Sequence, residues 1–453
     1  DLGSPESADS KWPKRAGWTT NTISHNTVMV DRRQQETDWI GQCRLYAASE
    51  DVGIVEVASP GVYPQTRDYR RTLAMVDLSD SESYLIDFFR VDGGAEGDHV
   101  LSFHAGEGEV STDGIDLTAQ EQGTYAGPEI PFGTHYDGPP DGRYKGSGFA
   151  YLYDVSRALQ PTPGWWIDWN LADSRNAKIG EEEVHVRYHA LSSSDEASLA
   201  WGDPPQNKPG NPRRLRYLLQ RNQGDDLRSF FTSVVEPYSG PHPLITSATR
   251  IDLGLSRDDL TAAAVRVATA QGRTDLILTA DDSERILDLG DGVRAAGRFV
   301  LISLQEGAPT RLFLLGGTRV EFPESVLKVD RSEYRGTVKE MHREEQGDAW
   351  IDVEGDLPAD LSLKDAQLRI HNDGVRDACY AIQSASPGPE GTFRLHMGEI
   401  SFIRGLISEE DYDRGFTYNF APGDGFDIQT IVHIQLDGRE TEIIRSTSGF
   451  TLT

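Results

Sequence analysis

Apolar and polar residues alternate along most of this chain in short runs. From residue 25 onward "NTVMV", "GIVEVAS", "RRTLAMVDL", "SYLIDFFRV" and "HVLSFHAG" follow one another, each with the two-residue period of a strand that buries one face. Gly, Asp, Asn and Pro stand between them, as in an antiparallel meander. Residues 105–150, with "YDGPPDGRYKGSG", break the alternation and predict a long loop or insertion. Strands resume at "FAYLYDV", "GWWIDWNL" and "EEEVHVRYHAL", pause at "WGDPPQNKPGNPRRL", and continue through "RYLLQRN", "SFFTSVVEPY", "DLILTA", "RFVLISL" and "RLFLLGG". The alanines of "DDLTAAAVRVATAQ" favour a helix by propensity, but its Val-Arg-Val alternation and the following "GRTDLILTA" predict a strand hairpin. The fold class is all-β. Residues 1–20 carry no period and read as an irregular lead-in, and a boundary is expected near "EFPESVLKVD", with shorter strands beyond it.

A chain of 453 residues exceeds what one hydrophobic core usually serves, so two or more domains or one very large β architecture is expected. No stretch approaches the roughly 18 apolar residues of a membrane helix. A net charge of −29 repels nucleic acid and anionic membranes at long range, so an acidic ligand needs a local basic pocket. "RDYRR" at 67–71 and "RRLRYLLQR" at 213–221 are the stretches able to supply one; the simpler reading makes their arginines cross-strand ion pairs. Cys43 and Cys379 lie far apart in sequence, match no CxxC metal pattern, pair only if folding unites them, and read as free. The chain begins at Asp1, which reads as a mature or truncated product.

HExxH, GxSxG and GxxxxGK[ST] are absent, and with them the signatures of zinc proteases, serine hydrolases and P-loop enzymes. His185 and His189 share a strand face but stand about 13 Å apart at about 3.3 Å per residue, too far to chelate one ion. "ISHNTVMVDRRQQ" raises a sharper question, because His25 and Asn26 stand side by side at the mouth of a strand. Taken alone, His25 reads as a structural histidine whose ring fixes a strand start.

"SHNTVMVDRRQQ", with "ASPGVYPQTRDYRRTLAMV", "SYLIDFFRVDGG", "HVLSFHAG", "NKPGNPRRLRYLLQRN" and "FTSVVEPYSG", resembles the β-sandwich part of the heparinase II/III-like polysaccharide lyases. The resemblance implies a large antiparallel β-sandwich (super-sandwich) over 21–321, followed by a smaller C-terminal β domain over 322–453. The family's chemistry is β-elimination at a uronic acid: the C6 carboxylate is neutralised, a base removes the C5 proton, and an acid protonates the departing O4. Most of those groups belong to an N-terminal (α/α) toroid, which this chain does not contain, and the sandwich adds the His of an HN motif. The resemblance therefore implies His25, Asn26 and Tyr69 as catalytic groups, with Tyr63 also lining the cleft and Arg67, Arg70 and Arg71 holding the anionic substrate. Some relatives bind zinc through two His and an Asp; His25 and His104 match in type, with Asp38, Glu56 and Asp87 as acidic candidates, while Ile23 stands where a further His is found. The implied partners are an acidic polysaccharide and a toroid segment, with no nucleic acid, in a secreted or periplasmic bacterial setting; homo-oligomerisation is left open. The competing class is a non-catalytic carbohydrate-binding or assembly module. A metal enzyme built from strands alone lacks the tight ligand cluster it needs.

Overall fold

Every alternating run above forms a strand, and their pairing gives four antiparallel sheets. The computed structural model describes all residues except 1–3, 10, 39–40, 60, 140, 173–182, 343–346, 359–361, 372–376, 400–421 and 438–439. The eight-stranded sheet runs in the order Gln42–Ala48, Val52–Ala58, Thr66–Asp77, Ser83–Gly93, Arg228–Ser239, Val184–Ala190, Trp166–Leu171 and Gly108–Asp113. It is the middle layer of the sandwich. Tyr84, Ile86 and Phe88 point into a core shared with Val265, Ile277, Phe299 and Phe313 of a ten-stranded sheet. Phe89 and Val91, on the opposite face of the same strand, pack with Val28, Leu101, Leu199 and Leu218 of a six-stranded sheet. Burial of both faces explains why "YLIDFFRV" is nearly continuous in apolar residues, whereas edge strand Gly108–Asp113 alternates between half-buried and exposed.

The six-stranded layer is ordered Val28–Val30, Asp98–Phe103, Leu215–Gln223, Glu196–Gly202, Leu152–Leu159 and Thr118–Ala119. Its outer face is covered by both segments that lacked a period. Trp18 of the lead-in, Ile23 just beyond it, Tyr125 and Phe149 of the long loop and Tyr151 at its end pack on Val100, Ala200, Tyr217 and Leu219. The lead-in is thus a built part of the sandwich: a single helical turn, Arg15–Thr19, carries Trp18 into full burial. "AAAVRVAT" is a strand, Ala262–Thr269, paired on both sides, so sheet partners override the propensity of its alanines.

Sheet membership does not change once near residue 321, as the sequence suggested, but twice. The seven-stranded sheet holds strands between Glu333 and Gln429 around its own core of Val338, Ile351, Leu368, Leu395 and Ile428. Val326–Val329 before it, and Ile431–Asp437, Glu440–Ser446 and Phe450–Leu452 after it, belong to the ten-stranded sheet. The C-terminal module is therefore an insertion between strands of the sandwich. Its two connections lie side by side, with the Thr430 N–H donating to the Ser332 carbonyl at 3.0 Å and the Gly316 N–H donating to the Thr430 carbonyl at 2.7 Å. No helix among the described residues is long and apolar enough to cross a membrane.

Candidate functional site

The HN motif sits at one end of the six-stranded sheet, and local hydrogen bonding dictates its shape. Asn21 caps the short turn Thr22–Ser24 by accepting from the Ile23 N–H, and its amide donates to the Ala16 and Gly146 carbonyls at 3.2 and 3.0 Å. Ser102 Oγ donates to the Ile23 carbonyl at 2.7 Å. His25 then leaves the turn half-buried in extended backbone. Asn26 is a two-point clamp: its Oδ1 accepts from the His104 N–H at 2.9 Å and its Nδ2 donates to the His104 carbonyl at 3.0 Å. Each end of that amide holds the His104 backbone, so Asn26 positions the motif.

The clamp sets His104 directly behind His25. His104 is buried, its ring lies 4.8 Å from that of Tyr217, and neither ring nitrogen has a hydrogen-bond partner. Burial pushes its pKa down to about 4, and nearby His25 contributes in the same direction. His25 is shifted down too, chiefly by burial. Both imidazoles are therefore neutral around pH 7. The linkage sign follows: between its unfolded value of 6.5 and about 4, the unfolded chain takes up a proton at residue 104 that the native protein refuses. Stability present above pH 6.5 is lost on acidification, by up to about 3 kcal/mol from this residue. His104→Phe is expected to remove that share of the slope in denaturant titrations at about pH 7 and about pH 5. An unchanged slope in the variant would refute the assignment.

Tyr217 shares this sheet end with a surface cavity that opens on the opposite face of the sheet. Its neighbour Arg216 is the cross-strand partner of Trp201, and Trp201 with Arg213, Arg214, Asn170, Glu107 and Glu109 lines a cavity of about 450 Å³. The Arg214 guanidinium lies 3.9 Å from the Trp201 ring centroid. Arg213 donates to Gln206 Oε1 at 3.0 Å. Among the described residues neither Arg213 nor Arg214 is in an ion pair, and both are exposed.

The arginines of "RDYRR" are placed differently. Arg67 is an exposed partner of Asp92 and of Asp226, the latter at 2.7 Å. Buried Arg70 grips Asp281 with two bonds of 2.6 and 2.9 Å and donates to Asp68 at 2.9 Å. Arg71 holds Asp87 at 2.9 and 2.6 Å and donates to the Asn26 carbonyl at 2.7 Å. Each is engaged by a carboxylate, and Arg71 also steadies the HN motif from below. Tyr69 is likewise withdrawn from a cleft. Its hydroxyl donates to the Val28 carbonyl at 2.6 Å and contacts Thr27 Oγ1 and Gln35 Nε2, and burial pushes its pKa up to about 12. Tyr63 is buried with its hydroxyl on the Arg33 carbonyl. His185 and His189 sit on Asp168 and Glu236 as packed strand residues.

The donor set does not fit the two-His, one-Asp zinc site that the resemblance implied. Glu56 and Asp87 serve arginines, and among the described residues no group of three His, Cys, Asp or Glu converges on one point. Missing from the sequence reading were the roles of Asn21, Tyr217 and Trp201. Trp201 opens the stretch that ends in "RRLR", and an aromatic ahead of a basic run was the available signal.

The fold and site together define an all-β protein of stacked antiparallel sheets with a histidine-bearing sheet end. No protein family and no curated protein matches the sequence. Among solved structures, the chain is similar to heparan sulfate lyase HepC from Pedobacter heparinus at 12% identity and a TM-score of 0.34, covering 64% of this chain and 32% of that one. A heparinase III gene product aligns at 13% identity and a TM-score of 0.38, over 62% of this chain and 34% of that one. Another heparinase III gives 15% identity and 0.33, over 57% and 30%. The chain spans about a third of the length of these structures. None of the three scores reaches 0.5.

Proposed function

We propose that this sheet end is one wall of the cleft of a polysaccharide lyase that cleaves a uronic-acid-containing glycan by β-elimination, in a secreted or periplasmic bacterial setting. The observation that carries the proposal is that a neutral, half-buried His25 and a cavity with two exposed arginines, which among the described residues stand outside the ion-pair network, share one end of the six-stranded sheet. In this reading Arg213 and Arg214 hold anionic groups of the glycan, and the Trp201 face supports a sugar ring. The His25 imidazole, being neutral, hydrogen-bonds the uronate or exchanges a proton with it. Asn26, Arg71 and His104 fix its position. The remaining acid–base groups come from an (α/α) toroid facing this wall.

The test is ultraviolet absorbance of the unsaturated product from heparin and alginate, using the natural protein that carries this chain together with its toroid. Wild type is expected to generate product, and His25→Ala to lose about 10²-fold or more in rate while keeping its unfolding transition. Absence of product with every uronate glycan would sink the lyase reading. An undiminished His25→Ala rate would sink the role of His25 alone. Glycan binding without product, abolished by Arg213→Ala with Arg214→Ala, would support the carbohydrate-binding module instead.

A further inference from the structure

The two cysteines, 336 positions apart, meet where the inserted module touches the sandwich. Cys43 lies on Gln42–Ala48, an edge strand of the eight-stranded sheet, and Cys379 on Ala378–Ala381, an edge strand of the seven-stranded sheet. These two strands contact each other. Cys379 Sγ lies 4.0 Å from the Cys43 carbonyl, and Cys43 Sγ lies 3.6 Å from the Leu45 carbonyl at an irregularity in the strand register that offsets Cys43 from its neighbours. Both side chains are half-buried, and Cys379 lines a cavity of about 570 Å³ with Tyr46, Gln367 and Arg445, which gives a small molecule access.

We infer that Cys43 and Cys379 form a redox-controlled disulfide that staples the inserted module to the sandwich. The chemistry is thiol–disulfide exchange with a low-molecular-weight disulfide as oxidant. The Cys43 thiolate attacks one sulfur of the oxidant, forming a mixed disulfide and releasing one thiolate. The Cys379 thiolate then attacks Cys43 Sγ, closing the protein disulfide and releasing the second thiolate. Two protein thiols are oxidised, one oxidant disulfide is reduced to two thiols, and the proton count is unchanged overall. The local electrostatics assign the order of attack. Interaction with the neighbouring Cys379 thiol holds the Cys43 pKa below the ordinary thiol value, while the same interaction and burial raise that of Cys379. Arg369, the cross-strand partner of Cys379, adds positive potential at both sulfurs.

The experiment is incubation of the full chain with oxidised glutathione, followed by intact-mass measurement and maleimide labelling after unfolding. The expected product has lost two hydrogens, carries no labelled thiol, and yields one peptide pair joining Cys43 to Cys379. Cys379→Ser is expected to stop at a stable glutathione adduct on Cys43, because its resolving thiol is gone. Two independent glutathione adducts on the wild-type chain, two thiols that stay fully alkylatable, or a disulfide-linked dimer would each overturn the inference. Cys379→Ser differs by one atom at a half-buried position, and its unfolding curve checks that it folds.

Discussion

Glu56→Ala is expected to cost about 3–5 kcal/mol of stability, the range for breaking a buried ion cluster from one side. Glu56 is almost wholly buried and is approached by Arg70 at 3.5 Å, Arg90 at 3.7 Å and Arg298 at 3.4 Å, while Thr72 Oγ1 donates to it at 2.6 Å. Removing one carboxylate leaves the fully buried Arg90 close to Arg70, with Leu260, Thr72 and Thr279 as its hydrogen-bond partners among the described residues. Burial alone would raise the Glu56 pKa, but Arg90, Arg70 and Arg298 more than offset it and hold the carboxyl below its ordinary 4.5. The sign is that of a depressed acid: its contribution is complete above pH 4.5 and is lost as pH falls through the lower native value. Denaturant titrations should therefore show a wild-type advantage at neutral pH that shrinks on acidification. A difference under about 1 kcal/mol at neutral pH would show that the cluster is not what joins the middle sheet to the ten-stranded one.

Trp18→Ala is expected to cost a similar amount, about 3–5 kcal/mol, as for other fully buried large aromatics. Trp18 is 0% exposed, donates its indole N–H to the Asp203 carbonyl at 2.8 Å, and meets Tyr217 edge-on at 5.2 Å. The close fit depends on Gly202, where an added Cβ would come 2.5 Å from the Trp18 ring. Losing the indole should free the lead-in, so trypsin is expected to cut at Lys14 and Arg15 much faster in the variant than in wild type. Equal cleavage rates together with a stability change under about 1 kcal/mol would contradict this role.

The strands were legible because alternation is a local signal, and "AAAVRVAT" was read correctly from it against its own propensity. What stayed hidden depends on distant partners. Nothing near "RDYRR" reveals that Asp281, 211 positions away, takes Arg70, so a basic run suited to an anionic ligand became an internal ion network. The lead-in lacks a period because it packs through a single large side chain, Trp18, set onto the sheet. His25 was visible as a motif, but the clamp that orients it spans 78 positions to His104. The late boundary was misplaced because strands after residue 430 look like any other edge strands, and only their pairing with Ala308–Glu321 assigns them to the sandwich.

That return of the chain has a consequence for synthesis on the ribosome. Strand Ala308–Glu321 emerges well before its partner Ile431–Asp437, and until then the ten-stranded sheet carries an unpaired edge. The inserted module has its own core and adjacent ends, so it is able to fold while that edge waits. Nascent chains halted within the module, before strand Ile431–Asp437 is made, would present Leu312, Phe313 and Leu314 along a bare edge, an interval in which a chaperone is expected to engage the chain.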